Sequence, residues 1–76
     1  MKVKPLGANR TELQLPNGAA ILFSYQTPVA AQLAAGGFVR TSTHYSRTTC
    51  KHITQWLQGA TAREVPQIDL DNLAGV

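Results

Sequence analysis

Alternating apolar and polar positions predict two paired strands early in the chain. Residues 11–15 alternate polar and apolar side chains, which indicates a half-buried strand. Residues 19–25 carry apolar side chains on both faces, as is typical of a central strand. Between them, Pro16-Asn17-Gly18 supplies the residues that a tight turn prefers. The two segments are therefore predicted to form a β-hairpin.

Two further strands are predicted after a bend at Thr27-Pro28, since the residue before a proline is pushed towards extended geometry. Residues 29–33 form the first, with Val29, Ala31 and Leu33 expected on one face. Gly36-Gly37 then suits a turn. Residues 38–43 alternate again and contain β-branched side chains, which favours a fourth strand.

A helix is predicted over residues 46–58. Ser46 is a good N-cap because its hydroxyl can accept a hydrogen bond from an early helical N–H group. Cys50, Ile53 and Leu57 share one stripe and are expected to face the core. Gly59 is predicted to end the helix in the left-handed conformation.

The two ends of the chain carry weaker patterns. Residues 1–9 contain Pro5 and Gly7 and are interpreted as a lead-in. Residues 60–76 are expected to form a short helix near Pro66 or a tail, with an apolar edge of Ile68, Leu70 and Leu73.

These elements predict a single small α+β domain over residues 1–76. Residues 10–43 would form a three- to four-stranded antiparallel meander, and the 46–58 helix would pack on one face of it.

Composition narrows the class of protein. Cys50 is the single cysteine, so no internal disulfide can form, and no apolar stretch has the length of a signal peptide or membrane span. We therefore expect a protein of the cytoplasm without membrane contact. The net charge of +3 divides into +5 over residues 1–58 and −2 over residues 59–76. This basic body permits an anionic partner but does not require one.

The start of the predicted helix has an unusual charge pattern. Acids favour a first turn because that end of a helix is positive, yet Arg47 opens this helix and Lys51 follows one turn later. One interpretation is an anion site, in which Tyr45 could stack on a base. The alternative is an ordinary capped helix in which Tyr45 packs on Cys50. The candidate anion- or nucleic-acid-binding residues are Arg40, His44, Tyr45, Ser46, Arg47, Thr48, Thr49 and Lys51.

Catalytic and metal chemistry are not expected. His44, Cys50 and His52 are too few for a structural zinc site, which usually takes four ligands. The acids lie away from the histidines in the chain, and no nucleophile elbow or glycine-rich phosphate loop occurs. We therefore predict no catalytic residue, metal or cofactor. Tyr25 and Trp56 are candidate anchors for a partner protein, although for Trp56 the favoured interpretation is a core position that seals the helix against the sheet.

Three segments carry a resemblance to a known family: ILFSYQTPVA at 21–30, GFVRT at 37–41 and YSRTTCKHITQWL at 45–57. Together they resemble a family of small uncharacterised proteins found mostly in bacteriophages and prophages, over residues 6–73. The resemblance implies a phage-encoded accessory protein in the bacterial cytoplasm, and it assigns no functional residue.

Two functions are weighed on this basis, with a small enzyme as a third and weaker one. The first is a non-enzymatic accessory protein that binds a host or viral protein. The alternative is a small nucleic-acid-binding module that uses Arg40, Tyr45, Arg47 and Lys51. The oligomeric state stays open.

Overall fold

A six-stranded mixed sheet with one helix on each face is the architecture of this chain, in a computed structural model that describes residues 2–7 and 9–74. The strands follow one another across the sheet in chain order. β1 to β5 pair antiparallel, whereas β6 pairs parallel to β5. The elements are β1 (Lys2–Gly7), β2 (Arg10–Gln14), β3 (Ala20–Ser24), β4 (Thr27–Gln32), β5 (Phe38–Thr41), α1 (Arg47–Leu57), β6 (Ala62–Val65) and α2 (Gln67–Ala74).

The predicted hairpin is confirmed as β2 and β3. Leu15 N donates to Ala19 O at 2.8 Å, and the side chain of Asn17 accepts from Ala19 N at 3.0 Å. Gly18 has a φ of +92°, which a residue without Cβ adopts at little cost. β3 lies between β2 and β4, so its predicted central position is also confirmed.

Alternation along β3 divides the core into two clusters. Ile21 packs with Leu70 in the α2 cluster, whereas Leu22 packs with Ile53 in the α1 cluster. Successive strand residues point to opposite faces, so α1 and α2 lie on opposite sides of the sheet. The prediction of one helix on one face therefore holds for α1, and α2 covers the other face.

A β-bulge changes the predicted face of Val29. The β3–β4 register shifts after the Leu22–Ala30 pair, because the next partner of Phe23 is Pro28. Val29 is the extra residue and packs in the α1 cluster together with Ala30. The prediction that Val29 shares a face with Ala31 and Leu33 is therefore wrong.

The start of α1 is as predicted, and its end differs. Ser46 has extended backbone angles, and its Oγ accepts from Thr49 N at 3.2 Å. At the other end Gln58, not Gly59, is the left-handed cap, with φ 53° and ψ 41°. Gln58 N donates to Thr54 O, and Gly59 continues the turn.

The buried face of α1 is also rotated from the predicted stripe. Its buried residues include Thr49 and His52 beside Ile53 and Leu57, while Cys50 is half-buried.

The ends of the chain require the largest corrections. Residues 2–7, predicted as a lead-in, form edge strand β1, where Pro5 is tolerated because an edge strand need not donate on both sides. β6 adds a sixth strand, so the sheet has more strands than the three or four predicted. The sheet is also mixed and not purely antiparallel, because β6 pairs parallel to β5. The α+β class stands.

The C-terminal segment forms a short helix, as one of the two alternatives predicted. On α2 only part of the expected apolar edge docks, since Leu70 is fully buried while Ile68 and Leu73 are 59% and 41% exposed. Neither helix of the described residues has the length and apolar character needed to cross a membrane.

Candidate functional site

The candidate site lies where β3 and β5 end and α1 begins. Both strands are antiparallel to β4, so they run in the same direction and their carboxyl ends share one edge of the sheet. α1 starts beyond that end of β5. A cavity of about 250 Å³ opens there, which we call the tyrosine pocket. Its lining residues are Ser24, Tyr25, Thr27, Val29, Tyr45, Ser46 and Thr49.

Two partly exposed tyrosines belong to this pocket. Tyr25 is 54% exposed and Tyr45 is 45% exposed. Tyr25 occupies the β3–β4 turn with a φ of +61°, a region that non-glycine residues rarely adopt. Its N–H donates to Asn9 O at 2.7 Å, which ties this turn to the β1–β2 turn. The backbone thus holds the Tyr25 ring at the surface in a strained conformation.

A buried chain of hydrogen bonds forms the floor of the pocket. Ser46 Oγ donates to Thr49 Oγ1 at 3.3 Å, and Thr49 Oγ1 lies 3.2 Å from Ser24 Oγ. Ser24 Oγ lies 2.9 Å from His52 Nδ1. Ser24, Thr49 and His52 are all at most 8% exposed. The chain joins β3 to α1, and its members Ser24, Ser46 and Thr49 line the pocket together with the two tyrosines.

His52 is neutral at the end of this chain. Burial lowers the pKa of its imidazole, and the positive charge of Arg10 lowers that pKa further. If the neutral ring accepts at Nδ1, the Ser24 hydroxyl donates to it and accepts from the Thr49 hydroxyl. The Thr49 hydroxyl in turn accepts from Ser46. The whole chain then runs in one direction, from Ser46 to His52.

The serine–histidine contact resembles part of a hydrolytic triad but differs from one in two respects. A triad histidine is oriented by an acid, whereas the charge that shifts the pKa of His52 is the cation Arg10. Ser24 is 2% exposed, so its hydroxyl is not presented to a substrate. The arrangement is suited to holding α1 on the sheet.

The structure brings together only part of the predicted rim. Tyr45, Ser46 and Thr49 line the tyrosine pocket, joined by Tyr25 from the group of partner anchors. Three others lie exposed along the first turns of α1, namely Arg47, Thr48 and Lys51.

The remaining two rim residues lie apart from the pocket. Exposed His44 approaches Cys50, with Nδ1 3.4 Å from Sγ. Arg40 is half-buried on β5, beside Glu64 of β6 in the parallel register. The predicted basic surface is therefore dispersed.

Trp56 packs against the α1 cluster. It is half-buried, its Nε1 donates to Glu12 Oε1 at 2.8 Å, and its ring meets Phe38 edge-on at 6.0 Å between centroids. Among residues 2–7 and 9–74, no three His, Cys, Asp or Glu side chains are grouped to hold a metal ion.

Sequence reasoning missed Ser24 and His52 as parts of the site. The signal was slight: a serine on the otherwise apolar inner face of a central strand, and a histidine in the second turn of the predicted helix. Neither residue is informative until β3 and α1 are packed together.

The fold and pocket describe a small α+β protein with a surface pocket flanked by aromatic side chains. The chain belongs to DUF8033, a family of unknown function that matches residues 1–72. No curated protein and no solved structure matched the chain.

Proposed function

We propose that this chain is a non-enzymatic accessory protein that binds another protein through the tyrosine pocket. The observation that carries the proposal is the pair of exposed tyrosines, Tyr25 and Tyr45, at a single uncharged cavity. Tyrosine is enriched at the energetic centres of protein interfaces. It offers a large contact area at a low conformational cost because its side chain has few rotatable bonds.

The floor of the pocket supports this proposal. Binding is weakened when loops and side chains must be ordered first, so a surface that is already fixed binds more tightly. The hydrogen bonds of Ser24 to Thr49 and His52 hold the floor. The Tyr25–Asn9 backbone bond holds the turn above it.

Charge favours a protein partner over nucleic acid. The residues that line the pocket carry hydroxyls, two aromatic rings and one valine, and none is charged. A phosphate backbone would require cations at the aromatic surface. The resemblance of residues 6–73 to phage proteins supports placing this role in bacterial cytoplasm, with a host or viral protein as the partner.

Site-specific photocrosslinking tests the proposal. A photoreactive phenylalanine analogue at position 25 or 45 should capture the same protein from bacterial lysate, while one at Ile68, which is exposed on α2, should not. Tyr25→Ala and Tyr45→Ala should each weaken the purified complex by about 2 kcal/mol or more, about 30-fold in Kd, with Ile68→Ala unchanged. Equal capture at position 68, or full affinity in both tyrosine variants, would contradict the proposal.

A nucleic-acid-binding module is the second candidate, favoured by one observation. The first turn of α1 has no acid, and Arg47 and Lys51 are exposed along the start of this helix, which follows Tyr45 in the chain. This function predicts binding to single-stranded DNA or RNA that weakens steeply between about 50 and 200 mM salt. Arg47→Gln should weaken it, and Arg63→Gln on β6 should not. Fluorescence anisotropy that shows no binding at low salt removes this candidate.

A further inference from the structure

A second cavity lies on the far side of His52 from the tyrosine pocket. It measures about 230 Å³, is open to solvent on one side, and is lined mainly by β1, β2 and the later turns of α1. Lys4, Glu12 and Leu22 face one another across three neighbouring strands, so their side chains share the α1 face of the sheet. The full lining is Lys4, Leu6, Arg10, Glu12, Leu22, His52, Gln55, Trp56 and Gln58.

We propose that this cavity binds a small molecule through a carboxylate or phosphate group, which Lys4 and Arg10 would hold. A concave site with a few converging polar groups on an apolar base is the usual form of a small-molecule site. Here Leu6, Leu22 and Trp56 supply the base, and the two cations supply the charge.

Glu12, the acid in this lining, is already engaged within the protein. Its carboxylate accepts from Trp56 Nε1 at 2.8 Å and from Gln14 Nε2 at 2.6 Å. Burial raises the pKa of Glu12, but these two hydrogen bonds and the charge of Lys4 outweigh burial and lower it. Glu12 therefore stays ionised and bonded, and the cavity retains a net positive charge because it contains two cations and one anion.

Arg10 is held in place for an anion. Its Nη1 donates to Gln55 Oε1 at 2.8 Å, which fixes the guanidinium between the sheet and α1. A guanidinium has five N–H donors in a fork that matches carboxylate and phosphate oxygens, so donors remain for a ligand. Gly7 makes room for this position, since a Cβ there would lie 2.7 Å from Arg10 Nη2.

NMR titration with sodium phosphate and with sodium acetate, at constant ionic strength set by sodium chloride, tests the proposal. Amide shifts should saturate and concentrate on residues 6–7, 9–12 and 52–58. Arg10→Gln and Lys4→Gln should each weaken binding by about tenfold or more, as expected for a lost hydrogen bond to a charged group. Lys51→Gln, which removes an exposed cation outside the cavity, is the matched control.

Two further measurements separate a formed site from general charge attraction. Gly7→Ala keeps every charge but displaces the guanidinium, so it should also weaken binding. In the parent protein a bound anion should raise the pKa of the His52 ring, because it offsets the charge of Arg10, and Arg10→Gln should abolish that rise.

The two anions distinguish a phosphate group from a carboxylate group on the ligand. Saturation by phosphate at the lower concentration indicates a phosphate-bearing ligand, and saturation by acetate at the lower concentration indicates a carboxylate-bearing one. Shifts that fail to saturate with either anion, or that Lys51→Gln weakens as much as Arg10→Gln does, overturn the proposal. If Arg10→Gln does not fold, Lys4→Gln carries the comparison.

Discussion

His52 connects the two cavities at the scale of a single residue. Its Nδ1 is hydrogen-bonded to Ser24 Oγ in the floor of the tyrosine pocket, while its ring lines the cavity that contains Arg10. Because it is buried and lies near a cation, protonation of its ring opposes both the packing and the charge around it. Protonation would also turn Nδ1 into a donor and reverse the roles of Ser24 and Thr49.

The stability of the fold should therefore depend on pH through His52. An unfolded histidine titrates near about 6.5, and the folded pKa is lower. The unfolded state then binds more protons below about pH 6.5, so the free energy of unfolding should fall as the pH drops through that value. Urea unfolding measures this loss at about pH 7.5, 6.5 and 5.5. These values are the pKa of an unfolded histidine and about one unit on either side of it.

Two histidine variants assign the effect. His52→Gln should flatten the dependence of stability on pH, and His44→Gln, which removes the other imidazole at an exposed position, is the control. Measurements stay above about pH 5, since the lowered pKa of Glu12 adds a separate loss of stability at still lower pH. An unchanged slope in His52→Gln would show that His52 is not the titrating group.

At the scale of elements, Leu70 is the buried side chain that docks α2 on the sheet, and Gln67 Nε2 adds a hydrogen bond to Pro28 O at 2.7 Å. Leu70 is fully buried among Ile21, Ala31, Val39 and Val65. Ile68, two positions before it, is 59% exposed. The helix has only eight residues, which is short of the length at which isolated helices are stable in water. It therefore depends on this docking.

Substitutions on α2 should show that dependence. Leu70→Ala should reduce the free energy of unfolding by about 2–5 kcal/mol, the range for truncating a buried leucine. Ile68→Ala should change it by less than about 0.5 kcal/mol. Urea unfolding followed by circular dichroism makes the comparison, and similar losses in both variants would contradict the docking described.

The elements that could be predicted from sequence were those with local signals. β2 and β3 alternate clearly and are joined by a turn of characteristic residues, and Ser46 is a strong cap. β1 and β6 lack such signals. β1 contains Pro5 and two lysines, and β6 has four residues with Arg63 and Glu64 at its centre. Both are edge strands, whose pattern is set by their one neighbour and by solvent.

The site was harder to predict than the sheet for a related reason. Tyr45, Ser46 and Thr49 could be found because they lie close together in the sequence. Tyr25 is distant from them in the sequence and lines the same pocket only because α1 packs on β3. The spread of the basic residues likewise depends on tertiary structure, since Arg40 is half-buried on β5, opposite Glu64 of β6 in the strand register.

At the scale of the whole molecule, the α1 cluster and the α2 cluster are built on opposite faces of the same two strands. β3 and β4 supply Ile21 and Ala31 to the α2 cluster, and Leu22 and Ala30 to the α1 cluster. A disturbance on one face should therefore be felt on the other, as in the cooperative unfolding of most small domains.

Trp56, the single tryptophan, reports on this coupling from the α1 cluster. Leu70→Ala, on the opposite face, should shift the unfolding midpoint seen by Trp56 fluorescence by the same amount as the midpoint seen by circular dichroism. If the fluorescence midpoint stayed in place while the circular dichroism changed in two steps, the two faces would be unfolding independently.

Because the strands lie in the sheet in the order in which they are synthesised, the fold suits a chain that emerges gradually from the ribosome. Each antiparallel neighbour closes only a short loop, so the entropic cost of pairing is small and folding is expected to be fast. β6 differs, because α1 must cross the sheet before its parallel pairing with β5 can form. We expect the nascent chain to pair β1 to β5 first. The α2 cluster would be completed last, when α2 has been synthesised and Leu70 packs into it.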